Sequence, residues 1–387
     1  MTAIAGTRTI AVVTTGRQDW GILHSTCAAI RGHPELELRL IAGGMHLSER
    51  HGRTVELIRE DGFEPDAELD WLGRGPDPPA HVQAAAALGL IGECLRTDPP
   101  GAVLVVGDRF ETAAAALAAT VSRMPIAHLH GGEQTLGAFD DALRHAITKL
   151  SHLHLVSQDE HARRVVALGE DPATVHVVGA PGLDAAVRED LPDRAALERE
   201  LGIALRPPLI VVTVQPATLD PNPAAVAGAV AEAMDRVDAT YLITLPNADP
   251  GGEEVRSTLL VAAATDRRRA VEALGERRYW GLLRIADAML GNSSSALVEA
   301  PAVDLPAVNI GDRQLGRHRE SNVIDTPAEP RAIAEALRTA LLPETRRLVA
   351  EGHPPLADGR AGRRVADIIA AWRPSIPPRK APIDVPG

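Results

Sequence analysis

Aromatic side chains are scarce in this chain: three Phe, two Tyr and four Trp in 387 residues, or 2%. Its cores must therefore be filled by Ala, Val, Leu and Ile. Only two cysteines occur, Cys27 and Cys94, each in an apolar, helical-looking segment. That excludes a disulfide framework and a thiolate metal site, and reads as small buried hydrophobes in a reducing compartment. No apolar run is long enough to cross a bilayer, and MTAIAGTRTIAVVTTG has no apolar signal segment before its first strand. A cytoplasmic protein without membrane association is expected. Positive charge is also in deficit: 40 Lys and Arg against 52 Asp and Glu leave a net charge of −12, which disfavours nucleic acid as a partner.

What is present is a regular alternation. Short apolar runs (TIAVVTTG, LELRLIAGG, GAVLVVGD, IAHLHGG, LHLVSQ and VHVVGAPG) each end in Gly or polar residues, and helical periodicity usually follows. The rhythm resumes after residue 205 in PLIVVTVQP, TYLITLPN, DAMLGNSSS and PAVNIGD. This pattern predicts an α/β protein with two doubly wound, Rossmann-like domains facing a cleft. The expected first domain spans residues 1–190 and the second 191–357. A helix at about 358–373 is expected to pack back on the first, and 374–387 reads as a loose Pro-rich tail. Ligands of such sheets bind at the carboxyl ends of the strands.

The motifs fall at those ends. GNSSSALVEAP, residues 291–301, reads as strand, turn and helix start, placing Ser293 and Ser294 where a helix N-terminus holds phosphate. Glu299, about one turn on, suits a ribose diol, although a Ser-capped helix with a solvated Glu needs no ligand. Asp108 and Arg109 close VVGDRFE; Asp108 suits either a cleft carboxylate or an N-cap, and Arg109 either a pair with it or a phosphate. HLHGGE follows, with Glu133 in a glycine-rich loop. His128 and His130, two residues apart in a strand, should share a face, and without a second ligand pair they read as polar cleft residues and not as a metal site. Asp140 opens a helix in which Arg144 is its i,i+4 neighbour. Asp108, Glu133 and Asp140 together suffice for acid–base work if low dielectric and repulsion raise one pKa. Arg17 and Arg313, with Arg317 in support, are diphosphate clamp candidates. Asn247 suits a base or sugar contact or a turn. His46, in a Gly-rich loop, suits a sugar contact or plain solvation.

These stretches resemble the UDP-N-acetylglucosamine 2-epimerases, most closely the hydrolysing branch that releases N-acetylmannosamine in sialic-acid pathways. The resemblance rests on GMHLSERHGRTVELIREDGF, VVGDRFETAAAALAA, PIAHLHGGEQTLGAFDDALRHAITKLSHLH, VGAPGLD, LPNADPGG, GNSSSALVEAP and NIGDRQLGR, spanning about residues 14 to 325. It implies the glycosyltransferase-B fold, a homodimer, and a nucleotide-sugar substrate with neither metal nor other cofactor. It makes Asp108, Glu133 and Asp140 the catalytic carboxylates. Arg17, Asp19, His46, Arg109, Arg144, Gln215, Asn247, Ser293, Ser294, Glu299 and Arg313 become the UDP- or substrate-binding set. In that family a base takes the C2 proton as UDP leaves C1, and the resulting glycal is protonated on its other face.

Two departures stand out. Where the family carries His in a V-T-x-H-P motif, this chain reads Val212-Thr213-Val214-Gln215-Pro216, and Gln carries no proton at neutral pH. The first loop reads TTGRQDWG where many members have T-G-T-R-A-D-Y-G. The Gln-His pair of the non-hydrolysing branch is absent from AGGMHLS. The expected outcome is hydrolysis to N-acetylmannosamine and UDP. The alternatives are a non-hydrolysing epimerase giving UDP-N-acetylmannosamine, as in antibiotic amino-sugar synthesis, a glycosyltransferase on the same fold, and a non-catalytic binder.

Overall fold

The computed structural model describes residues 7–136, 138–217, 222, 224–247, 249–351 and 357–380. The chain divides into two compact units: Met1–Glu133 with Asp140–Asp184 and Gly359–Gly387, and Gln134–Phe139 with Ala185–Asp358.

The first unit holds a seven-stranded parallel sheet. Its strands are β1 (Arg8–Thr14), β2 (Leu36–Gly43), β3 (Ala67–Leu69), β4 (Ala102–Val106), β5 (Ile126–Leu129), β6 (Leu153–Val156) and β7 (Val175–Val177), in the order β3-β2-β1-β4-β5-β6-β7. The second holds β8 (Leu209–Thr213), β9 (Thr240–Thr244), β10 (Arg268–Val271), β11 (Ala288–Gly291), β12 (Ala307–Ile310) and β13 (Val323–Thr326), ordered β10-β9-β8-β11-β12-β13 and also parallel. Strand order reverses between β1 and β4 in one sheet and between β8 and β11 in the other. Those are the switch points where ligands of this architecture bind.

The central strands are unbroken apolar runs because helices cover both faces of each sheet: AVLVV of β4 and LIVVT of β8 are buried throughout. Three short strands lack such runs. AEL of β3, RRAV of β10 and VIDT of β13 lie at sheet edges and are largely half-buried, so the apolar alternation does not reveal them. The shortage of aromatics shows in the cores. Tyr241 is the one aromatic in the second unit's main cluster, and Trp20 and Phe63 are those fully buried in the first.

In the first unit the helix Ala361–Ala371 lies against the helix Arg17–Arg31. Asp184 accepts hydrogen bonds from the backbone N–H of Ala361 (3.0 Å) and Gly362 (2.8 Å), which satisfies two donors otherwise orphaned at the helix start. The segment after that helix is not loose as far as residue 380. The Lys380 ammonium donates to the carbonyls of Thr148 (3.0 Å), Lys149 (2.8 Å) and Ser151 (2.6 Å), at the C-terminus of the helix Asp140–Leu150, where a cation offsets the helix dipole. It also pairs with buried Glu170 at 2.5 Å. Burial alone would raise the Glu170 carboxyl, but hydrogen bonds from His154, Lys149 and Lys380 outweigh it and hold the group at about 2. Composition pointed to a loose tail because one lysine, invisible to periodicity, supplies the anchor. Cys27 is buried and burial raises its thiol pKa, whereas Cys94 is only half-buried. Among the described residues no helix is long and apolar enough to cross a membrane.

Candidate functional site

At the first unit's switch point, the turn after β1 leads directly into the helix Arg17–Arg31, so Arg17 and Asp19 stand at its start. Asp19 is buried and accepts from the Thr15 backbone N–H (2.8 Å) and hydroxyl (2.6 Å). Burial raises its pKa, against the pull of Arg109 and of the Thr15 bonds. After β4, the cap residue of the helix Phe110–Val121 is Arg109, so Asp108 does not cap it. Arg109 is buried and donates to Glu111 at 2.8 Å, an ion pair that the sequence reading did not anticipate.

Asp108 instead accepts from Arg144, thirty-six positions on, in the helix Asp140–Leu150. Arg144 is 2% exposed, also donates to the His130 carbonyl at 3.0 Å, and stands 3.6 Å from the Glu133 carboxylate. A buried guanidinium thus joins two of the candidate carboxylates, and Asp140 begins the same helix one turn before it.

His128 and His130 do not share a face, because β5 ends at Leu129 and His130 turns out of the strand with a φ of 65°. Left-handed backbone is costly for a residue with a Cβ and concentrates at functional sites. His128 stays in the sheet, its ring bonded to the Gly107 carbonyl (2.8 Å) and close to the Thr148 hydroxyl (3.3 Å). Burial drives its pKa down to about 3, which keeps it neutral. His130 places Nδ1 2.6 Å from the Glu133 carboxylate, and its Nε2 is buried with no hydrogen-bond partner among the described residues. Only the tertiary structure reveals this placement of the ring, on left-handed backbone beside Glu133.

His46 is neither solvated nor open to a ligand by its ring nitrogens. It is fully buried, bonded to Thr14 Oγ1 (2.9 Å) and Thr54 Oγ1 (2.8 Å), and burial lowers its pKa to about 3. The Gly-rich loop around it suggested exposure, but the loop folds into a one-turn 3-10 helix beneath Thr14.

In the second unit the loops after β8, β9, β11 and β12 meet. Asn292 organises them. Its side chain accepts from the Gln215 N–H (2.8 Å) and donates to the Gln215 carbonyl (2.9 Å), and its own carbonyl accepts from Arg313 (3.3 Å) and Gln314 (2.9 Å). The Gln215 side chain accepts from the Asn247 N–H at 3.0 Å, and Arg313 also donates to the Pro216 carbonyl at 3.2 Å. Gln215, Asn247 and Arg313 are therefore brought together. Arg317 donates to the Thr135 hydroxyl at 3.0 Å, within the same unit. Asn292 and Gln314, both buried, were not singled out from sequence, although they lie inside the GNSSS and GDRQ motifs.

The expected helix at 293–301 does not form. Ser294–Ala296 and Ala300–Val303 are two separate 3-10 turns. Pro301 has no N–H to continue an α-helix through Leu297, so the run breaks. The Ser293 hydroxyl accepts from the Ser295 N–H at 3.3 Å, and the Tyr279 hydroxyl bonds that of Ser295. Phosphate affinity here would come from hydroxyls, local N–H groups and Arg313, not from a long helix dipole. Gly291 makes the turn possible. Its φ is 146°, and a Cβ there would lie 1.9 Å from the Thr213 carbonyl oxygen. Among the described residues no cluster of three or more His, Cys, Asp or Glu side chains could hold a metal ion.

Two doubly wound parallel-sheet domains with polar groups gathered at each switch point are the architecture of the glycosyltransferase-B type. The family model described as UDP-N-acetylglucosamine 2-epimerase matches residues 28–370, and the chain belongs to that family. Relatives include the polysialic acid biosynthesis protein P7 of Escherichia coli, 32% identical over 85% of this chain and 85% of that protein. The GDP/UDP-N,N'-diacetylbacillosamine 2-epimerase (hydrolyzing) of Campylobacter jejuni is 32% identical over 82% of this chain and 84% of its own length. Among solved structures, UDP-GlcNAc 2-epimerase from Neisseria meningitidis, bound to UDP-GlcNAc, aligns with a TM-score of 0.78 at 16% identity, covering 94% of this chain and all of that one, 100%. At that identity the likeness concerns the fold.

Proposed function

We propose that the chain is a hydrolysing UDP-sugar 2-epimerase that converts UDP-N-acetylglucosamine to N-acetylmannosamine and UDP. The observation that carries this reading is the convergence of Asp108 and Glu133 on buried Arg144, in a chain about one-third identical over most of its length to hydrolysing 2-epimerases. Loops bearing Gln215, Asn247, Ser293, Ser294, Glu299 and Arg313 hold the nucleotide. Arg17, Asp19, Arg109 and Arg144 complete the substrate-binding set, while Asp108, Glu133 and Asp140 supply acid and base. The C2 hydrogen of the sugar is not acidic, so its removal is concerted with departure of a stabilised diphosphate from C1. Protonation of the glycal at C2 from the other face inverts that centre, and water adds at C1. No carbon undergoes net oxidation, so the reaction asks for no redox cofactor.

The test is a proton NMR time course with UDP-N-acetylglucosamine in deuterated water. Free N-acetylmannosamine carrying deuterium at C2, together with UDP, is the expected outcome. A C2-inverted sugar still attached to nucleotide would establish the non-hydrolysing reaction, and absence of both release and exchange would reject the epimerase reading. Two relatives named as diacetylbacillosamine 2-epimerases make UDP-N,N'-diacetylbacillosamine the comparison substrate.

A further inference from the structure

Glu133 is touched by more than the site already described. Its Oε1 accepts from the Ser157 hydroxyl at 3.2 Å, and the Ser157 oxygen lies 2.9 Å from Nδ1 of His161. Ser157 follows β6, and His161 sits in the first turn of the helix Asp159–Ala167. That helix is fastened to the Glu133 loop. Arg164 donates to the Gly132 carbonyl, and Gly132, with a φ of 76°, lies so near the helix that a Cβ there would be 2.4 Å from the His161 carbonyl oxygen. The contact that sets His161 beside Ser157 is thus built through the residue adjacent to Glu133. His161 is only half-buried, whereas Glu133 is enclosed by His130 and Arg144.

We propose that Ser157 and His161 form a proton relay that exchanges the Glu133 carboxyl with solvent, making both residues part of the turnover machinery without touching the sugar. The proposal rests on the reading of Glu133 as an acid or base. Inversion through a planar intermediate takes a proton from one face of C2 and delivers one to the other. Each carboxyl that gives or takes a proton must then be reset before the next cycle. In the loading direction, solvent protonates His161 at Nε2. The Nδ1–H bond then breaks as the proton passes to the Ser157 oxygen, and the serine O–H proton passes to Glu133 Oε1. Glu133 ends as a neutral acid and His161 as the neutral Nε2–H tautomer, so protons and charge balance. The unloading direction reverses each step.

An imidazole is suited to this place because its ordinary value lies near neutral pH. Burial lowers the His161 pKa, the Glu133 and Glu160 carboxylates raise it, and His130 and Arg164 lower it. Among the described residues those four are the charged or titratable groups that act on it most strongly.

The relay is tested with Ser157→Ala, His161→Ala and the near-isosteric His161→Gln. Each should lower kcat about tenfold or more with KM little changed, within the range of acid–base contributions. Added imidazole should restore much of the His161→Ala rate in proportion to its concentration while leaving wild type unaffected. An unchanged kcat in both His161 variants, or a loss that imidazole does not restore, would overturn the relay. A second measurement needs no turnover. The His161 pKa, read from its imidazole NMR shifts, should fall in Glu133→Gln, because a carboxylate that favours the imidazolium is gone. An unchanged pKa would show that the two groups are not coupled. Failure of wild type to release free sugar would refute the proposed activity instead, and this titration would still report on the connection.

Discussion

Arg144 donates to Asp108 from a position 2% exposed, so a fully charged guanidinium is held in the interior chiefly by carboxylates. Removing it strands Asp108 and Glu133 without their cation. Arg144→Met is expected to lower kcat at least about a hundredfold and to destabilise the fold by about 3 kcal/mol, the cost typical of breaking a buried pair. Arg144→Lys keeps the charge but loses the fork that also reaches the His130 carbonyl, so it should fold and still lose about tenfold in kcat. UDP release and urea midpoints measure both, and a methionine variant with wild-type kcat would remove Arg144 from the mechanism.

Glu133→Gln and Asp108→Asn keep shape and hydrogen-bonding reach while removing the titratable group. Each is expected to abolish turnover and leave UDP affinity, measured by calorimetry, within about threefold of wild type. Near-normal turnover in either would show that its carboxylate moves no proton.

Gln215 braces the Asn247 loop by accepting its backbone N–H. Gln215→Ala leaves that donor unpaired and should weaken UDP binding about tenfold, the equivalent of about 1.4 kcal/mol. Gln215→His retains an acceptor in the neutral ring and adds a titratable group where the family carries one. Turnover should be equal or higher, and a clear drop would show that the glutamine has its own role in this chain.

Burial holds His46 and His128 down at about 3, below the ordinary imidazole value of about 6.5. Between those two values the unfolded chain takes up protons that the folded chain refuses, so stability is complete above about pH 6.5 and falls as the pH drops toward 3. At about pH 5 each histidine costs about 2 kcal/mol. Urea midpoints at about pH 7 and 5 should show this loss, and His46→Gln should show a smaller one. An identical pH dependence in the variant would contradict the account of His46.

Gly291→Ala drives a Cβ into the Thr213 carbonyl and strains the backbone, so a loss of more than about 3 kcal/mol is expected. Gly228, inside the helix Ala225–Met234, has open space at its Cβ position, and Gly228→Ala should stabilise by about 0.5–1 kcal/mol. Thermal unfolding distinguishes the two, and a well-folded Gly291→Ala protein would show that the turn can be rebuilt.

Much of the fold was legible because apolar runs such as AVLVV and LIVVT are buried on both faces and announce parallel strands. The edge strands β3, β10 and β13 and the one-turn helices were not, since few of their residues are committed to a core. Of the candidate site, the residue types and their loops could be read, whereas their partners could not. Asp108 as a cap, Arg109 as its mate, His46 as a solvated ring and 291–301 as a helix start were all reasonable local readings. Asp108 and His46 are claimed by distant partners, Arg144 and the pair Thr14 and Thr54, whereas Arg109 pairs with nearby Glu111 and Pro301 inside the motif itself ends the helix.

The amino-acid order by itself determined the alternation of strands and helices, the two parallel sheets, the family and the acidic residues at strand ends. Periodicity and motif spacing are local properties that survive without coordinates. Tertiary structure alone decided that Arg144 binds Asp108, that His130 leaves its strand on strained backbone with an orphaned nitrogen, and that Ser157 links Glu133 to His161. Those contacts join residues 3 to 36 positions apart, and each depends on where the loops come to rest, of which sequence pattern carries no record.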